Sequence, residues 1–327
     1  GSSLAGGGNN LTLASGIGVG GTDFSGPVSN LGSGTGAALT VSSGVTGQVH
    51  FGSTLGANSG LVANGGTSMQ FDGNVTLGNG NTGTSLTGTS LLNGVAFSGF
   101  DSLTFGSIQL ATGASSLNSN GSAIQVGTLS GAQNLTLAPG IAAGGTDFLG
   151  AVSNLGSGIG AALTVSDGVT GQVHFGSTLG TNSGVTASFG TNLRFDGNVT
   201  LGDGDTASSL GGSVVLDGLT LDAFDGITAN AVTLSSGAVS IQSTAGKITL
   251  GTVDGAEQLN LDSGPANDSL VLGPVGGSLA PTGLTINNAA TAYFYDKVTV
   301  NGGIQINNAT NNVAFAGDLS ANSINSS

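Results

Sequence analysis

The chain has 327 residues, 63 of them Gly, and carries 17 acidic side chains against three basic ones, for a net charge of −14. Arg194, Lys247 and Lys297 are too few and too scattered to build the basic stripe that a nucleic acid or an anionic membrane surface requires, and no apolar run approaches the roughly 18 residues of a membrane-spanning helix. Only 6% of residues are charged while mean hydropathy is positive, the opposite of a solvated disordered tail.

Cysteine is absent, so no disulfide staples the fold. Strong helix formers are scarce: Glu257 is the single Glu, and there are two Lys. Nothing at Gly1 reads as a secretion signal, which leaves a processed chain or an internal segment of a longer one as the expectation.

Along the chain the apolar residues fall in short groups with one polar residue between two apolar ones. Leu11-Thr12-Leu13 is the first, followed by Leu39-Thr40-Val41 and Val49-His50-Phe51. A period of two is the signature of a strand with one buried side. An apolar step ending in Phe recurs at Phe24, Phe51, Phe71 and Phe97. Between the groups lie Gly-rich turns such as Gly78-Asn79-Gly80-Asn81, where Gly, Asn and Asp tolerate unusual φ.

The whole pattern then repeats. Gly44 to Gly56 recurs unchanged at Gly168 to Gly180, an offset of 124 that also carries Thr22-Asp23-Phe24 onto Thr146-Asp147-Phe148 and Phe71-Asp72 onto Phe195-Asp196. A third copy starts at Gly255-Ala256-Glu257-Gln258-Leu259 and diverges. The expected modules are 1–130, 131–254 and a partial 255–327, joined in one continuous solenoid. Near the end, Leu284-Thr285-Ile286 leads to Phe294 and Ile304-Gln305-Ile306 leads to Phe315.

A unit of 20 to 27 residues with two or three short strands cannot bury its apolar side alone, whereas stacked units can. The expected fold is therefore all-β, a parallel β-helix (β-solenoid) with rungs of that length. Its interior ladder would run through Phe24, Phe51, Phe71 and Phe97, continue through Phe148, Phe175 and Phe195, and include Phe294 and Phe315. Leu221 takes the place that matches Phe97. The competing fold, an array of β-sandwiches, would need antiparallel hairpins and does not account for the short inner beat.

Several of these residues suit more than one chemistry. His50 and His174 occupy one repeat position between Val and Phe, so with those two inward the His faces out, and tandem duplication accounts for both. Paired carboxylates could serve a glycosidase. Asp203, Asp205, Asp217, Asp222 and Asp225 are the candidates, but the first four answer to Asn79, Asn81, Asn93 and Ser98 in the first copy, which suit corners and cannot act as acid or base. No catalytic residue, cofactor or enzyme activity is assigned. Calcium has weak candidates in Asp203, Asp205 and Asp268, the last in the run from Gly264 to Leu270. Gly16 to Gly21 fits a phosphate-loop pattern by letter only, because no helix follows. Asn74-Val75-Thr76 and Asn134-Leu135-Thr136 match the glycosylation acceptor pattern, as a chain this rich in Asn and Thr does by chance. Tyr293 and Tyr295 flank Phe294, so at least one should face out, where it could stack on a sugar or dock a neighbouring rod.

The residues Leu39-Thr40-Val41 leading to Val49-His50-Phe51-Gly52, and Thr146-Asp147-Phe148-Leu149-Gly150-Ala151-Val152, resemble the repeat region of filamentous-haemagglutinin-type exoproteins and autotransporter passengers. The resemblance spans nearly the whole chain. It implies a right-handed coil, export by two-partner secretion, and a place in the extracellular space or on the bacterial cell surface. The expected role is a structural or adhesive rod or filament, whose partners are like subunits end to end or more of the same chain, with surface glycans or cell receptors as ligands. The alternatives are a carbohydrate-binding or carbohydrate-cleaving β-helix and a calcium-binding repeat module.

Overall fold

The computed structural model describes residues 2–138, 140–141, 144–264 and 269–327. Among them there is no helix, and short strands pair in parallel as a β-solenoid of about 15 turns. The chain divides into two compact units, Gly1–Gly156 with Leu163–Val173, and Ser157–Ala162 with His174–Ser327.

In the first unit each turn lays down three strand segments, on three faces. The first face holds Thr22–Phe24, Val49–Phe51 and Met69–Phe71, whose register sets Phe24 against Phe51, Phe51 against Phe71, and Phe71 against Leu92. The second face stacks Val28, Leu55, Val75, Phe97, Leu117, Leu137 and Val165 in one inward column. The third stacks Leu13, Val41, Ala63, Leu86, Phe105, Val126 and Phe148. Alternation makes the columns: inward residues are buried on nearly every strand, as in the buried–intermediate–buried pattern of Val49–Phe51.

The register corrects the expected single ladder. Phe24, Phe51 and Phe71 do form one, with rings stacked at 4.9 and 5.6 Å and nearly parallel. Phe97 does not continue it. It stands on the second face above Val75, and reaches Phe71 only edge-on across the interior, at 5.4 Å and 90°. Phe148 sits over Val126 on the third face, in the column of Phe105, a core residue that sequence spacing had not singled out. The cause is the variable turn. Successive partners are 18 residues apart from Leu92 to Leu110 and 28 apart from Leu135 to Leu163, a wider range than 20 to 27. In the second unit Phe175 stacks on Phe195 at 5.1 Å, and Phe294 on Phe315 at 4.6 Å, the latter pair in register.

The same register places the repeat. Thr22–Phe24 lies on the first face, but Thr146–Phe148, its copy, lies on the third; Val28–Leu31 lies on the second and its copy Val152–Leu155 on the first. From Phe24, the third face is visited at Val41, Ala63, Leu86, Phe105, Val126 and Phe148. The first of these visits comes two thirds of a turn on and the sixth at five and two thirds, so 124 residues are not a whole number of turns.

Corners are made in two ways. Thr84–Leu92, Leu103–Leu110 and Ile124–Ser130 each run unbroken across two faces, bending at Gly88, Gly106 and Gly127. A Cβ on Gly127 would collide with the carbonyl oxygen of Gly106 in the turn below. Looser corners reach further. The Asn81 side-chain oxygen accepts the Gly36 N–H at 2.7 Å, 45 residues away, and over the corner between them Ser59 is fully buried. Asp205 does the same for Gly160 at 2.5 Å, over buried Ser183.

Replacing Phe71 by Ala should cost about 3–5 kcal/mol, through lost burial and the cavity left between Phe51 and Phe97. Gly127→Ala should cost about 1–3 kcal/mol by overpacking, whereas the outward Thr136→Ala should stay within about 0.5 kcal/mol. Chemical denaturation of the three variants ranks them.

Candidate functional site

The densest set of functional side chains lies on the outer side of the first face. Because Phe24, Phe51 and Phe71 point inward, the residues just before them, Asp23, His50 and Gln70, point outward in register. Asp72 and Asn93 follow Phe71 and Leu92 at the strand ends. His50 is gripped from both sides: Nδ1 is 3.0 Å from Asp23 Oδ1 and Nε2 is 2.7 Å from Asp72 Oδ2. The other oxygen of Asp72 accepts from Gln70 Nε2 at 2.8 Å and from Asn93 Nδ2 at 2.6 Å. Burial works against the charged form of Asp72, but the hydrogen bonds from Gln70, Asn93 and His50 outweigh it and hold the carboxyl below its ordinary range.

Chemically this is a buttress. A relay to a Ser nucleophile needs one imidazole nitrogen free for the hydroxyl, and both nitrogens of His50 already face carboxylates.

The second copy keeps the network and changes its chemistry. His174 Nε2 is 2.8 Å from Asp196 Oδ2. Arg194, in the place of Gln70, reaches Asp196 through Nε at 2.7 Å and Asp217 through a terminal nitrogen at 2.6 Å. Asp217 stands where the first copy has Asn93, and it also accepts from Ser236 Oγ. A neutral amide pair has become an ion pair at matched positions, so the two changes compensate.

The other candidates separate. Asp205 is an acceptor for Gly160 N–H and for Thr206 Oγ1, a corner role that Asn81 fills equally well. Asp203 lies near Asp225, whose carboxyl is raised by burial and then by the Asp203 charge. Asp101 and Asp225, at one repeat position, each keep a buried carboxylate oxygen with no hydrogen-bond partner among the described residues. Asp268 lies outside the described residues. Among the residues described, no three His, Asp or Glu are grouped to hold a metal ion. Asp222 faces a shallow groove with Gln242, Asp262 and Asn288, where Asp262 accepts from Gly264 N–H at 3.0 Å and from Asn288 Nδ2 at 2.8 Å. Phe294 is buried and both tyrosines beside it face out, with rings 4.5 Å apart at 54° and Tyr295 61% exposed.

The chain matches no protein family, no curated protein and no solved structure. Its fold is compatible with β-helix repeat proteins.

Sequence reasoning placed His50 outward but missed Asp23, Gln70, Asp72 and Asn93 as its surroundings. The signal was present: each flanks an inward residue, and once the register of those residues is known the outward set follows.

Asp72→Asn should cost about 1 kcal/mol near pH 6. The folded-state pKa of Asp72 is depressed, so its contribution is complete above the unfolded value of 3.8 and fades as pH falls through the lower folded value. Melting curves at pH 6 and pH 2.5 should therefore show the gap between variant and parent closing at the acid end. Asn93→Asp alone should destabilise by setting a second carboxylate against Asp72, and adding Gln70→Arg should recover about 1 kcal/mol in a double-mutant cycle.

Proposed function

We propose that the chain is an extracellular structural or adhesive repeat segment of the bacterial surface, forming a rod or filament. The observation that carries this reading is the parallel pairing of turn upon turn: in the first unit the inward column from Val28 through Leu55, Val75, Phe97 and Leu117 to Leu137 is covered by the turns that follow one another, so main-chain pairing along the stack resists unfolding. The acidic coat keeps such segments soluble and apart. The likeness in composition and pattern to filamentous-haemagglutinin-type exoproteins supports export and a place outside the cell. Like subunits end to end, or further turns of the same chain, are the partners this reading calls for. It assigns the chain no catalysis and no resident cofactor.

Negative-stain electron microscopy of the purified chain tests the proposal. Narrow, elongated particles or filaments of uniform width are expected. Compact particles of equal dimensions would contradict it.

A further inference from the structure

The outward column of one face of the second unit is free of formal charge along its length. Thr186, Ser209, Thr228, Thr249, Val271, Tyr293 and Ala314 follow one another in register. No described strand segment of this face carries an Asp, Glu, His, Lys or Arg. The other two faces of the unit do: His174, Arg194, Asp217 and Asp254 lie on one, Asp222 and Asp262 on the other. Asp203, Asp205, Asp225 and Lys247 stand at the corner that leads into the uncharged face. In a chain of net charge −14, such a face is where an uncharged partner can settle without stripping water from ions.

The hydroxyls of Thr186, Ser209, Thr228 and Thr249 make no hydrogen bond among the described residues. They recur at strand spacing, about 4.8 Å, and each can donate and accept. Towards its far end the column carries Tyr293, whose ring lies 4.5 Å from that of outward Tyr295, both aromatic surfaces with a polar tip. Six such spacings span roughly 29 Å and a three-residue strand roughly 10 Å. The resulting area of roughly 300 Å² falls well short of the roughly 800 Å² per partner of a stable protein pair. A ligand one column wide fits it better than a second copy does.

We infer that this face binds a neutral polysaccharide laid along the turns, a sugar ring stacking on Tyr293 and Tyr295 while the Thr and Ser hydroxyls bond its own. The inference rests on the adhesive reading, to which it gives a ligand; the two fail separately, because microscopy reads particle form and titration reads binding. An acidic polysaccharide would be repelled by the net charge and by Asp203, Asp205 and Asp225 at the flank.

Calorimetric titration of the full chain with cellohexaose, chitohexaose and mannohexaose as neutral probes, and hexagalacturonate as the acidic one, decides. At least one neutral probe should bind and hexagalacturonate should not. Tyr293→Ala and Thr228→Asp, both outward and checked by circular dichroism, should each weaken binding at least tenfold, and Tyr293→Phe should keep it. Binding of no neutral probe, equal binding of the acidic one, or affinity untouched by both substitutions would overturn the proposal. So would a dimer in sedimentation that Thr228→Asp dissolves, since that assigns the face to a second copy.

Discussion

Backbone pairing between consecutive turns is the constraint from which the other features follow. A single turn exposes two rows of N–H and C=O groups and an inner side that nothing covers, and neither problem can be solved within the turn. Parallel neighbours solve both together. Pairing fixes register, register aligns the inward positions, and alignment converts scattered Phe, Leu and Val residues into columns. Deep burial of Phe51, Phe71, Phe97 and Phe105 is thus a consequence of main-chain pairing as much as its cause.

The same constraint shapes the surface. Outward residues are held about one strand spacing apart whatever their chemistry, so a change at one position is felt by its neighbours on the adjoining turns. The His50 network and its counterpart around Arg194 illustrate this: where the first copy has Gln70 and Asn93, the second has Arg194 and Asp217, a cation and an anion that pair with each other. The repeat adds a further consequence. Because the module closes at five and two thirds turns, Asp23 lies on the first face of its unit while Asp147, its copy, lies on the third. Duplication of sequence therefore does not duplicate a surface along one side.

How far the sequence could be read follows from these facts. Strand alternation, parallel stacking and the ladder through Phe24, Phe51 and Phe71 were legible, since local periodicity and similar turn lengths suffice there. Phe97 and Phe148 were misplaced because all three faces share one alternating pattern, and only corner length tells them apart. That length is set by details such as the bend at Gly88, where a nine-residue strand serves two faces. The clustering of Asp72 with His50, 22 residues apart, was hidden for the same reason. So was the uncharged face of the second unit, which exists only as a property of the register.

Register is open to direct measurement, because the chain has no cysteine of its own. Outward positions on neighbouring strands lie within disulfide reach only if they are true partners. Thr76 and Ser98 are such partners, whereas Gln70 and Ala96 would be neighbours if Phe97 lay directly above Phe71. Cysteines at 76 and 98 should therefore cross-link on mild oxidation, and cysteines at 70 and 96 should stay reduced. The reverse outcome would contradict the register and the three-column interior built on it.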